Sequence, residues 1–297
     1  MNILITGGTG FIGQSLCPAL LSKGHSLTVL SRYPNKVYSV FGDQIEQITS
    51  ISLLSESDHF DAIYNFAGAP IFAQRWTDER KQVLLKSRIY ITQQLVEFIA
   101  RANTKPSVLL SGSAIGFYGD QGDTVLDETA SAQDDFGHQL CAEWEHTAEK
   151  AKEHCVRVCL LRTGLVIGKN GGFLQPMILP FKLGLGGKLG SGTQWMPWIH
   201  MNDYVAICQA LLDNNALEGV FNLTAPNPVT NSEFTRTLAK HLNRPAFFTI
   251  PGWALNLLLG EMSQLLLGSQ RVIPKHILDS GFQFDYPNLE EALENVL

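Results

Sequence analysis

Apolar runs of strand length alternate with amphipathic stretches from the first residues onward. Asn2–Thr6 (NILIT) is a continuous apolar run, as a strand buried on both faces requires. It breaks into GGTGFIG at positions 7–13, and a helical pattern then runs to about Ser22. His25–Leu30 predicts a second strand, Gln44–Ile51 a short third one with weak periodicity, and Asp61–Gly68 a fourth that ends in small residues. Trp76 to about Ala102 predicts a long helix, with Thr77 as its cap and Ile89, Leu95, Val96 and Ile99 as its inward stripe. Ser107–Ser113 reads as a strand, 134–144 as a helix, and Val156–Gly168 as a buried strand with its exit. Strands that alternate with helices in this way predict an α/β fold around a doubly wound parallel sheet.

The pattern changes after Gly168. Gly171 and Gly172 open a glycine-rich passage, and Phe181–Asp203 resists assignment as helix or strand; it reads as a loop able to settle over a ligand, with Gln194, Trp198 and His200 as cleft candidates. Val220–Glu233 predicts a strand, a proline-rich turn and a helix start, with Asn231 or Ser232 as the cap of a helix reaching His241. Phe247–Ile250 predicts a short strand, and an apolar helix follows Pro251.

Charge and cysteines narrow the picture. A net charge of −6 with no Lys/Arg cluster gives no nucleic-acid surface. Cys17, Cys141, Cys155, Cys159 and Cys208 form no C-x-x-C pair, so no metal site is expected; most are expected to be buried thiols in a reducing, cytoplasmic setting. The chain enters its first strand at once, which leaves no room for a signal peptide. Asn256, Glu261, Ser263 and Gln264 interrupt the most apolar window, Trp253–Leu267, so no membrane span is expected. Such a helix suits core packing or a homodimer seam.

The candidate chemistry begins at the first turn. A strand, a glycine-rich bend and a helix N-terminus together form an anion site: the bend lets backbone approach a pyrophosphate, whose charge meets free N–H groups. Gly7, Thr9, Gly10, Phe11, Ile12 and Gly13 are therefore cofactor-binding candidates. At the end of the second strand, where an acid would select a free ribose 2′-hydroxyl, the chain has Ser31 and Arg32. A hydroxyl and a guanidinium suit a 2′-phosphate, so the expected cofactor is NADP(H).

With its Gly7-x-x-Gly10-x-x-Gly13 spacing, TGGTGFIG resembles the fingerprint of the extended short-chain dehydrogenase/reductases, a family that includes sugar-nucleotide epimerases, dehydratases and reductases. The resemblance extends along the whole chain: the N-F-A-G segment at 65–68, S-G-S-A-I-G-F-Y-G at 111–119, R-T-G-L-V-I-G at 162–168, W-I-H-M-N-D at 198–203, and the closing G-F-x-F-x-x-P-x-L-x-x-A-L at 281–293. Together these are similar to the atypical branch called epimerase-family proteins. The resemblance implies a Rossmann-type nucleotide domain over residues 1–168 and a smaller C-terminal α/β substrate domain over 169–297, parts of which return to the first. It implies cofactor contacts from Phe66, Ala67, Gly68, Arg88, Arg162, Thr163, Gly164 and Leu165. Ser113 falls at the family's active-site Ser/Thr, and Tyr118 is expected in the substrate cleft.

The family's catalytic Tyr-x-x-x-Lys pair is missing. Phe136 and Leu140 stand in its place, and no Tyr-x-x-x-Lys occurs anywhere in the chain. A phenyl ring donates no proton and a leucine tunes no neighbour's pKa. Ser113, Tyr118, His138 and His200 are the remaining catalytic candidates. Two readings stay open: an NADP(H)-dependent oxidoreductase or epimerase-like enzyme on a small polar substrate, and a cofactor-holding regulatory protein with little turnover.

Overall fold

The computed structural model describes residues 1–297. Seven parallel strands form the central sheet: β1 (Asn2–Thr6), β2 (Ser26–Leu30), β3 (Glu46–Ile48), β4 (Ala62–Asn65), β5 (Val108–Ala114), β6 (Arg157–Thr163) and β7 (Gly219–Leu223). Their spatial order is β7-β6-β5-β4-β1-β2-β3. The order reverses at β1, so the crevice beyond the C-terminal ends of β1 and β4 is the switch point where such sheets take ligands.

Four helices on the two faces fix that crevice: α1 (Gly13–Ser22), α2 (Pro34–Phe41), α3 (Asp78–Arg101) and α4 (Phe136–Glu149). Thr77 caps α3 by accepting from the Arg80 N–H, and Asp135 caps α4 by accepting from the His138 N–H. One apolar layer joins Ile3, Ile5, Leu16, Val29 and Tyr64 to Tyr204 and Cys208; the other joins Leu4, Ile63, Leu109 and Leu160 to Leu95, Phe98 and Ile99. Consecutive residues of each strand thus enter opposite layers, which explains the unbroken apolar runs in the sequence.

The chain leaves the sheet after β6 and returns to it with β7. Helix Met201–Asp213 packs in the same layer as α1, so the nucleotide-binding layer is completed by residues well beyond 168. A third core, containing Phe181, Trp198, Phe234, Leu238 and Leu293, holds together the remaining C-terminal elements.

The glycine-rich stretch differs from its expectation. Gly187–Leu189 pairs with Phe248–Ile250, Trp195–Met196 with Val229–Thr230, and Trp198–His200 with Leu165–Ile167. Phe248–Ile250 falls where the local pattern predicts a strand and Trp195–His200 where the family resemblance implies one; Gly187–Leu189, whose partner is distant in sequence, carried no local strand signal. The helix Asn231–His241 is capped by Thr230, whose hydroxyl accepts from the Glu233 N–H; Asn231 points inward instead and accepts from the Leu189 N–H.

Candidate cofactor and substrate site

The first bend is built so that only glycine fits at its key positions. Gly7 has φ +73°, and a Cβ there would meet the Phe66 carbonyl oxygen at 2.6 Å. A Cβ on Gly13 would collide with the Gly8 carbonyl. The Gly10 N–H closes the turn on Gly7 O at 2.9 Å, while the N–H groups of Phe11, Ile12 and Gly13 donate to nothing in the protein. Free donors at a helix N-terminus are what a diphosphate requires, so the residues present fit a dinucleotide. Phe11 is wrapped by the backbone of Gly168, Gly171 and Gly172, which ties the loop after β6 to this bend.

A row of polar side chains runs beneath the crevice. Thr6, Asn65 and Ser111 are register partners on β1, β4 and β5. Thr6 donates to Asn65 Oδ1 at 2.8 Å, and Asn65 Nδ2 donates to Thr92 Oγ1 at 2.7 Å and to Ser111 Oγ at 3.1 Å. Trp144 Nε1 also donates to Thr92, at 3.0 Å. Every buried partner is satisfied, which makes a rigid floor of the crevice.

A second row lies one strand over. Ser113 on β5, Arg162 on β6 and Asn222 on β7 are register partners. Glu145 reaches down from α4: its Oε1 accepts from Ser113 Oγ at 2.6 Å and from Arg162 Nε at 2.8 Å, and its Oε2 accepts from Arg162 Nη2 at 2.8 Å. Arg162 also donates to the Tyr118 hydroxyl, which in turn donates to Asn222 Oδ1 at 2.7 Å.

Several expected site residues therefore lie elsewhere. Tyr118 is fully buried within this network and does not line the cleft; burial raises its pKa, against the pull of Arg162. Arg162 is 4% exposed and committed to Glu145 and Tyr118, so its side chain is not among the cavity's lining groups. His138 turns away from the cavity, with Nδ1 2.8 Å from Phe117 O and its ring edge-on to Phe117. His200 is buried under Tyr286, where its Nδ1 caps the following helix by accepting from the Asn202 N–H. Burial lowers its pKa to about 4. Gln194 is held by the Leu189 and Leu266 carbonyls, and Trp198 donates to Asn227 O; both are scaffold.

The residues that do meet one another enclose a cavity of about 980 Å³. Its walls include Ile12, Phe66, Arg88, Ser113, Leu140 and Trp144, with Thr163, Gly164 and Leu165 near the end of β6. Gly68 packs against the guanidinium of Arg88, and the Ala67 N–H donates to Thr6 Oγ1. Phe136 packs with Trp76, Leu84, Leu140 and Met262 in an apolar cluster, with the Lys81 ammonium 5.0 Å from its ring centre. The Cys141 thiol also lines the cavity, but burial pushes its pKa up to about 12, so it stays protonated. At the adenosine end, Ser31 Oγ is tied to the backbone of Tyr33, and Arg32 is exposed, with no ion pair to occupy it.

Residues 256–270 supply a wall that the sequence did not suggest. Asn256, Gly260, Ser263, Gln264, Leu267 and Gln270 face the cavity, while Trp253, Leu257 and Leu258 on the outer side are exposed. No helix is long and apolar enough to cross a membrane, and no group of three or more His, Cys, Asp or Glu side chains is placed to hold a metal ion.

Sheet order, glycine bend and crevice define a Rossmann-type dinucleotide fold of the extended short-chain dehydrogenase/reductase kind. The profile of the NAD dependent epimerase/dehydratase family matches residues 3–224, and the chain belongs to that family. Residues 250–296, which carry much of the cavity's outer wall, match a domain of unknown function, DUF1731.

Among similar proteins, the epimerase family protein SDR39U1 homolog, chloroplastic, of Arabidopsis thaliana is 38% identical over 100% of this chain and 87% of its own length. Epimerase family protein YfhF of Bacillus subtilis is 36% identical over 100% and 98%. The crystal structure of human epimerase family protein SDR39U1 (isoform 2) with NADPH superposes with a TM-score of 0.90 at 34% identity, covering 100% of this chain and 99% of that one. UDP-glucuronic acid 4-epimerase of Bacillus cereus, at 19% identity and a TM-score of 0.79, shares the fold.

Proposed function

We propose that this protein binds NADP(H) along the C-terminal edge of its sheet and uses it on a small polar substrate, as an oxidoreductase or epimerase-like enzyme. The observation that carries this reading is the first bend: three consecutive N–H groups without acceptors beside a Gly7 that no other residue can replace. Arg32, free of any carboxylate partner at the end of β2, suits the adenosine 2′-phosphate, and Ser31 flanks it. The human relative crystallised with NADPH supports the same choice.

When bound, the nicotinamide accepts or supplies a hydride. Phe66, Ala67 and Gly68 form the crevice wall toward the adenine half, and Thr163, Gly164 and Leu165 close the opposite side. Ser113 holds a substrate oxygen at the inner end. The accompanying proton has no Tyr-Lys pair to travel through, because Phe136 is in an apolar cluster and Leu140 lines the wall.

That same feature favours a second reading, a cofactor-holding regulator with little turnover. Absorbance of bound NADPH, followed across a panel of aldehydes, keto acids and sugar nucleotides, separates the two. Oxidation with any of them supports the enzyme. Tight retention with no oxidation across the panel supports the regulator.

A further inference from the structure

The polar groups of the cavity divide sharply by charge. Arg88 is the one cation among the lining residues, and it stands on the cofactor's side. A Cβ on Gly68 would lie 2.9 Å from its Cζ, and its Nη2 donates to Ala69 O at 3.1 Å. The resemblance that makes Phe66, Ala67 and Gly68 cofactor contacts makes Arg88 one as well. No second cation is left for a substrate. Arg75 reaches the backbone near Gly260 but donates to Leu257 O, and Lys81 pairs with Glu261; neither lines the cavity.

The other lining charges are negative. Asp120 Oδ1 accepts from the N–H groups of Gly122 and Ser269, and Asp135 Oδ1 accepts from the His138 N–H, so each carboxylate keeps its Oδ2 free. Neutral amides stand with them. Gln133 lies beside Gly119, where a Cβ would be 2.8 Å from its own, and its side-chain amide has no partner in the protein; nor has that of Gln264. Gln270 gives Nε2 to Ile115 O and Gly119 O and keeps Oε1, while Asn256 accepts the Ser263 hydroxyl on Oδ1 and keeps Nδ2. Three of these four amides belong to the wall built by residues 256–270. An anion placed here would find no counterion and two carboxylates to face. Hydroxyl groups would find both donors and acceptors.

We infer that the substrate is an uncharged polyhydroxy compound, a sugar or polyol without phosphate or carboxylate, whose hydroxyls are held by the amides of Gln133, Asn256, Gln264 and Gln270. The same balance excludes a nucleotide sugar, since its diphosphate would bring charges that nothing in this wall neutralises. The inference deepens the proposed NADP(H) reading and rests on it. The protein is therefore titrated first with NADPH: no binding overturns the cofactor reading and the inference with it, whereas binding leaves the next step to judge the inference alone.

The NADP⁺-loaded protein is then titrated calorimetrically with glucose, ribose and glycerol, each beside its phosphate ester (glucose 6-phosphate, ribose 5-phosphate, glycerol 3-phosphate), and with glucosamine and UDP-glucose. At least one neutral compound is expected to bind, and about tenfold or more tighter than its ester, because like charges brought together in an enclosed site repel strongly. UDP-glucose is expected not to bind. Gln264→Lys, at an exposed position that threatens no core packing, is expected to tighten the ester of that pair by about tenfold and the neutral compound not at all. Binding of no neutral compound, an ester or UDP-glucose binding as tightly as the neutral member, or glucosamine binding about tenfold tighter than glucose overturns the inference. So does a Gln264→Lys protein with unchanged ester affinity. The wild-type comparisons need no variant, so a misfolded mutant leaves the test intact.

Discussion

Ser113 donates its hydroxyl hydrogen to Glu145 across 2.6 Å, and the carboxylate that receives it is gripped at both oxygens by Arg162. Three side chains from β5, α4 and β6 thereby set the orientation of a hydroxyl that lines the cavity. Burial is nearly complete, with side-chain exposures of 5% and 8% for Arg162 and Glu145. Breaking such a pair leaves one charge uncompensated, whereas removing both leaves none.

Glu145→Leu and Arg162→Met should therefore each cost about 3–5 kcal/mol of stability, while the two combined cost far less than the sum. Denaturant unfolding of the three variants measures this. Additive losses would show that the pair does not act as a unit.

The Thr92 hydroxyl gathers two buried donors, Asn65 Nδ2 and Trp144 Nε1. Thr92→Val keeps the shape and removes the one acceptor the two donors share, so two buried N–H groups lose that partner. A loss of about 2 kcal/mol or more is expected, read from the denaturation midpoint at unchanged slope. A neutral substitution would mean that these hydrogen bonds add nothing to the floor of the crevice.

His200 gives a pH signature. Burial holds its folded-state pKa at about 4, below the ordinary 6.5, so the unfolded chain takes up a proton first as pH falls. This histidine's contribution is whole above pH 6.5, declines as pH falls toward 4 and is lost below that. A displacement of that size is worth roughly 3 kcal/mol. His200→Asn keeps a capping acceptor for the Asn202 N–H, and its stability should fall less between pH 6.5 and 4 than that of the wild type. Raised by burial, Asp203 titrates in the opposite sense and is common to both proteins, so the difference isolates the histidine. Parallel curves would contradict this.

The amino-acid pattern revealed the sheet and its first bend because those depend on local features: apolar runs, and glycine where a positive φ or a close backbone contact forbids a side chain. Thr77 was legible as a cap for the same reason. The Ser113–Glu145 contact was not, since it joins residues 32 apart on different elements. Nor was the burial of Tyr118, which follows from its meeting Asn222 across 104 residues. Glu145 sat unremarked in a helix of mixed polarity, and only the β5–β6–β7 register, which aligns Ser113, Arg162 and Asn222, gives it a role. His200 and Gln194 looked functional because polar residues in a glycine-rich stretch suggest a cleft. The pairing of Trp198–His200 with Leu165–Ile167, and the hydrogen bonds of Gln194 to the Leu189 and Leu266 carbonyls, place them in scaffold instead.

Gly7→Ala places a methyl group 2.6 Å from the Phe66 carbonyl at a backbone angle unfavourable to alanine. The bend must open for it. A loss of NADPH binding by about a hundredfold or more is expected, together with about 1–3 kcal/mol of stability. Unchanged affinity in this variant would remove the bend from the cofactor site.

Cofactor choice is the sharpest check on this picture of the molecule. Fluorescence titration of the purified protein with NADPH and with NADH should show NADPH binding about tenfold or more tighter, with the gap closing in Arg32→Glu, because a charge-assisted contact to the 2′-phosphate is worth about 1.5–3 kcal/mol. Equal affinity for the two nucleotides, a preference for NADH, or binding of neither would contradict it.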